Sequence, residues 1–139
     1  MELDFDFSEL NRFADSLSNV YNIETTLTTA TQNIARVLHK YLLRETPIDT
    51  GNLRKMWSAG DNLEFRVEPV ADGFEVTLIN LAENYTGFRY GLAVNDGHKT
   101  PKGGGWVMGR FFVEKSIAIT KEQVEQIVMT ELQKWWDSV

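Results

Sequence analysis

Three titratable residues lie close together within a glycine-rich stretch. Asp96, His98 and Lys99 form the one tight cluster of this kind in the sequence, and such a trio would suit acid–base or metal-assisted hydrolysis. A glycine-rich loop is a poor base for catalytic geometry, because its backbone does not hold side chains still. The alternative of a small metal-dependent hydrolase or nuclease therefore depends on clustering alone. We predict a protein that is not an enzyme, without catalytic, metal-binding or cofactor-binding residues.

Other signatures of catalysis are missing from the sequence. It contains no cysteine, so no thiol nucleophile, disulfide or thiolate metal site can form. His39 falls on the polar side of a predicted helix, far from His98, which favours a solvated histidine over a metal ligand. The run from Gly103 to Arg110 lacks the closing Lys-Ser/Thr of a phosphate-binding loop. A flexible connector that enters a helix explains its glycines.

The charge is acidic overall and unevenly distributed. A formal net charge of −6 argues against nucleic acid as the main partner. Residues 1–24 carry six acids against Arg12 alone, whereas residues 36–57 are mainly basic. This asymmetry suits head-to-tail pairing between copies, and an ordinary solvated charge pattern is the alternative. A nucleic-acid-binding module is a further alternative, and its candidate cations are Arg54, Lys55, Lys99, Lys102 and Arg110.

Targeting and membrane signals are also missing. The longest apolar runs are only a few residues, so we expect no membrane span and no membrane partner. The first residues are acidic where a secretory signal would be basic, and this predicts synthesis in the cytoplasm. The length of 139 residues predicts a single domain, in which residues 1–22 could form a peripheral helical arm.

Apolar spacing predicts three helices. Spacings of three and four indicate a helix over 7–18 and a longer one from Glu24 that ends before Pro47. A third runs from about Gly109 to Asp137, with a possible interruption near Thr120. A short helix with Leu53, Met56 and Trp57 on one side should follow the first long helix. Its free N–H groups would be capped by Asp49 or Thr50.

Alternating residues predict the strands. Leu63–Val67 and Phe74–Leu78 have the period of a hairpin around Ala71-Asp72-Gly73. We expect a further strand at Arg89–Val94 and a loop from Asn95 to Gly105. The segment 96–105 should be mobile in the free protein and become ordered on assembly. The fold class is then α+β: an antiparallel sheet of three to four strands packed by two long helices.

Tryptophans suggest an interface. Trp135 and Trp136 are adjacent, so they cannot both pack into one face of a helix, and one of them should be exposed. The alternative is that packing at a frayed C-terminus hides both rings. Exposed tryptophan is typical of protein interfaces. The candidate interface and loop residues are Asp96, His98, Lys99, Lys102, Trp106, Arg110 and Trp136.

Three segments resemble one phage protein family. They are Thr46-Pro47-Ile48-Asp49-Thr50-Gly51-Asn52-Leu53-Arg54, then Tyr90-Gly91-Leu92-Ala93-Val94-Asn95-Asp96-Gly97-His98, then Gly105-Trp106-Val107-Met108-Gly109-Arg110-Phe111-Phe112. Together they are similar to the family named for the HK97 gene-10 tail component, also described as tail-completion or head–tail joining proteins. Asn95 stands where an acid is usual, and Met108 where proline is common. The residues that match as structural motif are Pro47, Asp49, Thr50, Gly51, Leu53, Tyr90, Gly97 and Gly109.

The resemblance implies a structural virion protein. It implies a ring, hexameric in the virion, at the head-proximal end of the tail. Its partners would be other copies of itself, the tail-tube protein and a head-completion or connector protein, without sequence-specific binding of nucleic acid.

Overall fold

Two long helices form the frame of the structure. The computed structural model describes residues 8, 23–48, 52–100 and 103–138. The first long helix, α1, spans Glu24–Glu45. It ends where predicted, because Thr46 has extended backbone (ψ 129°) ahead of Pro47, and a residue before proline is disfavoured in helical geometry. The predicted helix over 7–18 lies outside the described residues except for Ser8, as do Asp49, Thr50, Gly51 and Lys102.

The C-terminal helix runs antiparallel to α1. It spans Phe112–Ser138 as one uninterrupted element, although Thr120 was expected to mark a possible break. The Thr120 hydroxyl donates to the Ser116 carbonyl at 2.7 Å, an i−4 bond that a helix accommodates without ending. This helix is α4 below. None of the helices in the described residues is both long and apolar enough to span a bilayer.

Side-chain pairs along the two helices show their direction. Near the start of α1, Ile23 belongs to one apolar cluster with Trp135. Farther along, Asn33 donates to Glu131 at 3.2 Å, and later Gln123 donates to the Tyr41 hydroxyl at 2.7 Å. The predicted apolar stripe of α4 lies on the side of the helix that packs against α1 and the core. Its buried or half-buried members are Val113, Ile117, Val124, Ile127, Val128, Leu132 and Trp135.

Short antiparallel strands cover the other side of α1. They are β1 (Trp57–Ser58), β2 (Arg66–Val70), β3 (Gly73–Thr77) and β4 (Ile79–Asn80). β1 pairs with β4, and β2 pairs with β3 around the predicted Ala71-Asp72 turn. The α+β class, the antiparallel pairing and the two long helices are confirmed. Within the described residues, the strands divide into three two-stranded sheets.

The main core lies between α1, α4 and these strands. A four-residue helix, α2 (Asn52–Lys55), turns the chain so that Leu53 and Trp57 are buried there. Trp57 meets the Phe112 ring edge to face at 6.4 Å between centroids. Met56 does not share this face: it is exposed, because β1 begins directly after it and only Trp57 turns inward. The buried members are Ala35, Leu38, Leu42, Leu53, Trp57, Val76, Leu78, Ala82, Phe112 and Val113.

The chain between the strands and α4 departs from the prediction. The expected strand at Arg89–Val94 is wrong, because a short helix, α3, spans Gly91–Asp96. Gly91 and Asn95, four positions apart, are buried while Leu92 between them is exposed, which is the helical period. A Cβ on Gly91 would come to 3.5 Å from Leu53 Cδ1, an ordinary van der Waals distance, so α3 packs beside α2 at this position.

The expected loop from Asn95 to Gly105 is wrong at its N-terminal end, because Asn95 and Asp96 belong to α3 and residues Gly97–Lys99 form β5. Its end at Gly105 agrees with the structure, where Trp106–Met108 form β6. The two strands pair antiparallel, with Gly97 opposite Met108, His98 opposite Val107 and Lys99 opposite Trp106. The remaining connection joins Thr100 to Gly105, whose main chains are hydrogen-bonded at 3.0 Å. The glycine-rich sequence is therefore the tip of a hairpin.

Candidate assembly surface

The β5–β6 hairpin exposes apolar side chains on one face. In an antiparallel pair, cross-strand partners point to the same side. Lys99, Trp106 and Met108 therefore share one face, and Val107 lies on the other with His98. Trp106 is 60% exposed and Met108 is 73% exposed. Such exposure of a tryptophan beside a methionine is unusual for an isolated soluble domain and typical of protein interfaces.

Exposed apolar residues also lie directly before and after the hairpin. Leu92 is on the solvent side of α3, which leads into β5, and Phe111 connects β6 to α4. Exposed charged residues alternate with them, among them Asp96, Lys99 and Arg110. An apolar centre with charged residues around it is the usual composition of an interface. The hairpin surface is defined here as Leu92, Trp106, Met108 and Phe111.

Two glycines fix the base of the hairpin. Gly97 has φ +92°, and a Cβ there would come to 2.7 Å from the Val107 carbonyl oxygen and 2.9 Å from Trp106 Cζ2. A Cβ on Gly109 would come to 2.5 Å from the Asn95 carbonyl oxygen. The two main chains thus cross in direct contact, with the Trp106 indole over Gly97. Both residues belong to the resembling segments, and their side-chain-free backbone explains why glycine stands there.

Asn95 joins α3, the hairpin and α4. Its side-chain oxygen accepts from the Val113 N–H at 3.0 Å, which satisfies one of the free donors in the first turn of α4. Its amide nitrogen donates to both Glu114 oxygens, at 3.1 and 3.0 Å, and to Asp96 Oδ1 at 2.8 Å. Its main-chain oxygen accepts from the Phe111 N–H at 3.0 Å. Asn95 therefore caps α4 from outside that helix, and it is 2% exposed.

The amide explains why an asparagine suits this position. A carboxylate at Asn95 would also accept from Val113, but it would face the carboxylates of Asp96 and Glu114 instead of donating to them. The sequence contains an asparagine where the resembling family usually has an acid. Beside the two neighbouring acids of this chain, an amide can donate where a carboxylate could not.

The titratable trio does not converge into a reaction site. Asp96 accepts from Asn95, whereas His98 Nδ1 donates to the Ala93 carbonyl at 3.3 Å. Lys99 is exposed on the opposite face of β5 from His98. Within the described ranges, no hydrogen bond or ion pair joins the three. Those ranges also contain no group of three or more His, Asp or Glu residues placed to hold a metal ion.

The described residues of the first resembling segment make hydrogen bonds near the C-terminal end of α1. The Trp57 indole N–H donates to the Thr46 hydroxyl at 2.9 Å, and Arg54 Nε donates to the Thr46 carbonyl at 3.0 Å. Asn52 donates to the Tyr90 hydroxyl at 3.1 Å, which connects the first segment to the second. Arg54, the last residue of this segment, thus donates to a carbonyl at the C-terminal end of α1. Thr46 is fully buried, and its role was not predicted.

His39 is buried, so the expectation of a solvated histidine is wrong. Its Nε2 donates to the Trp57 carbonyl at 3.1 Å, and Nδ1 lies 4.0 Å from a Glu64 oxygen. The helical position alone predicted the polar side of α1. The turn at Trp57, eighteen residues later, brings the chain over that side and covers the ring.

Among the described residues, three other exposed aromatic side chains lie outside the hairpin surface: Tyr85, Phe88 and Trp136. Trp136 is 66% exposed, while Trp135 packs against the cluster of Ile23 and Leu27, so the expected division between the adjacent tryptophans is confirmed. Tyr85 is fully exposed at a turn that Asn84 holds by accepting from Thr86 and Phe88 N–H groups at 2.9 and 3.0 Å.

Comparison with known proteins adds no relative: the sequence matches no family model and no curated protein, and no solved structure matches it.

Proposed function

We propose that this protein is a structural virion component of a tailed bacteriophage or prophage. In this proposal it is a tail-completion or neck protein that forms a ring and joins the tail to the head. The three-segment resemblance supports the proposal, since it extends over residues 46–112 in the family's order. Its partners are other copies of itself, the tail-tube protein and a head-completion or connector protein.

The observation that carries the proposal is the exposed apolar face of the β5–β6 hairpin. Trp106 and Met108 lie mostly in solvent, yet their backbone is held by the crossing of Gly97 and Gly109. A protein that needed only to fold would gain nothing from this exposure. A surface that is already rigid loses little conformational freedom on binding, so more of its apolar burial becomes affinity.

Ring formation requires two different surfaces on each subunit. A head-to-tail contact joins the hairpin surface of one copy to a separate surface of the next, and a suitable rotation closes the ring. A buried tryptophan at the centre of such a contact commonly contributes about 2 kcal/mol or more when truncated. We therefore expect Trp106 to dominate the association.

Sedimentation velocity over a concentration series tests this proposal. Wild-type protein should form a closed oligomer, and Trp106→Ala should raise the concentration needed by about thirtyfold, the equivalent of about 2 kcal/mol. Tyr85→Ala is the control, since it removes an exposed aromatic ring outside the hairpin surface. It should assemble like wild type.

A second arm adds purified tail-tube protein. Wild-type protein should bind it, and electron microscopy should then show rings at one end of the tubes. A wild-type protein that stays monomeric at every concentration and has no affinity for tail-tube or head-completion protein would contradict the proposal.

A further inference from the structure

The exposed side of α1 carries a row of like charges. Arg36, Lys40 and Arg44 are spaced by four residues, so they lie one above another on the helix, and all three are exposed. Like charges at this spacing repel one another and destabilise a helix slightly. This basic stripe, defined as Arg36, Lys40 and Arg44, therefore lowers the stability of the free protein slightly. An anionic partner would remove the repulsion.

Local contacts orient the stripe without neutralising most of it. The Arg44 guanidinium lies 4.5 Å from the Tyr41 ring centroid, and Lys40 Nζ lies 5.6 Å from it. Arg36 lies over Phe65 at 5.9 Å. Arg44 pairs with Glu45 at 2.8 Å, but within the residues that the structure describes neither Arg36 nor Lys40 forms an ion pair. Aromatic rings thus hold these cations in place while their charge stays available.

Another basic side chain adjoins the end of the stripe. Arg54 Nη2 donates to the Arg44 carbonyl at 3.1 Å, which places a further guanidinium beside the last turn of α1. The C-terminus of α1 is itself the negative end of the helix dipole, which attracts the guanidinium groups of Arg44 and Arg54. The helix dipole does not explain the positive charges at Arg36 and Lys40, which lie about two turns and one turn before Arg44.

A matching acidic segment precedes α1 in the sequence. Residues 1–24 carry Glu2, Asp4, Asp6, Glu9, Asp15 and Glu24 against Arg12 alone. At 1.5 Å per residue, the start of α1 and Arg44 are about 30 Å apart. Acidic residues that precede α1 in the sequence and basic residues in its second half favour pairing between neighbouring molecules in a head-to-tail series.

We propose that the basic stripe binds the acidic N-terminal segment, residues 2–15, of a neighbouring copy. This inference depends on the proposed self-assembly and adds a second, electrostatic contact to the apolar one at the hairpin surface. The net charge of −6 makes a second copy a better occupant than nucleic acid, since long-range repulsion opposes a polyanion more than a short acidic segment.

Charge reversal in the full chain tests the contact. The variant Arg36→Glu with Lys40→Glu, and separately Asp4→Lys with Asp6→Lys, should each weaken association about tenfold at about 0.02 M salt. The difference should vanish near 0.5 M salt, where screening acts within a few ångströms. Mixing the two variants should restore association, because the reversed charges then attract one another.

A single-charge comparison separates position from net charge. Lys40→Glu and Lys121→Glu change the net charge equally and both replace exposed lysines, but Lys121 lies outside the stripe. Only Lys40→Glu should weaken association at low salt. An equal loss in both variants would overturn the inference.

Two further results would overturn the proposed contact between the basic stripe and the acidic segment. If the mixture of reversed variants does not recover, the segment does not pair between copies, and the inference is wrong. Binding of duplex DNA to the stripe in place of the acidic segment has the same consequence. The proposed function survives these results as long as wild-type protein still assembles through Trp106, and it fails separately if Trp106→Ala assembles normally.

Discussion

Two neighbouring phenylalanines mark the border between two kinds of region. Phe112 is fully buried against Trp57, whereas Phe111 is 44% exposed and has a left-handed backbone with φ +50°. On the Phe112 side, the helix pair and its strands bury their apolar side chains and supply stability. On the Phe111 side, α3 and the hairpin expose theirs over a backbone that is fixed by close contacts. The proposed assembly surface lies on the Phe111 side of this border.

The largest effect should come from truncating the buried ring. Phe112→Ala should lower the free energy of unfolding by about 3–5 kcal/mol, because it removes a large core side chain and leaves a cavity. Phe111→Ala should lower it by less than about 1 kcal/mol. Thermal or urea unfolding of the two variants measures this directly. Equal losses of stability in the two variants would contradict the proposed difference between the two regions.

A smaller loss of stability should follow from adding a side chain where the main chains of Gly97 and Gly109 are in contact. Gly97→Ala should cost about 3 kcal/mol, since it adds contacts of 2.7–2.9 Å to the strain of a positive φ. Gly104→Ala is the matched control, because its φ is +83° but no atom lies within 4 Å of the added Cβ. It should cost only about 1 kcal/mol. Similar urea midpoints for the two variants would show that the crossing is not rigid.

Replacing the cap should have the smallest effect of the three. Asn95→Ala leaves the Val113 N–H without its acceptor and should cost about 1–2 kcal/mol. Asn95→Asp keeps an acceptor but faces the carboxylates of Asp96 and Glu114, so at neutral pH it should also be less stable than wild type. Adding salt should recover part of the loss in Asn95→Asp only. A fully stable aspartate variant would refute the account of why asparagine stands here.

The sequence predicted the elements whose pattern is long and regular. The stripe of α4 and the end of α1 at Thr46 follow from local periodicity and the proline rule, and both are confirmed. The hairpin turn at Ala71-Asp72 has a local signal of the same kind. Spacing of adjacent tryptophans likewise predicted one exposed ring, which is Trp136.

The rest depends on contacts between distant residues. α3 was missed because its buried positions are Gly91 and Asn95, which carry no apolar signal, although their spacing of four is helical. β5 and β6 were missed because their pairing depends on the contact of Gly97 with Gly109, and a glycine-rich composition by itself favours a loop. The burial of His39 and the capping by Asn95 depend on partners eighteen residues away.

Hydrogen exchange of free and assembled protein shows whether the hairpin is the assembly surface. Assembly should slow amide exchange across Trp106–Met108 and at the hairpin tip, where we expect ordering on assembly. The turn around Tyr85, exposed in the same way but outside the surface, should exchange equally in both states. An assembled protein whose hairpin exchanges as fast as in the monomer would contradict the claim that this hairpin is the assembly surface.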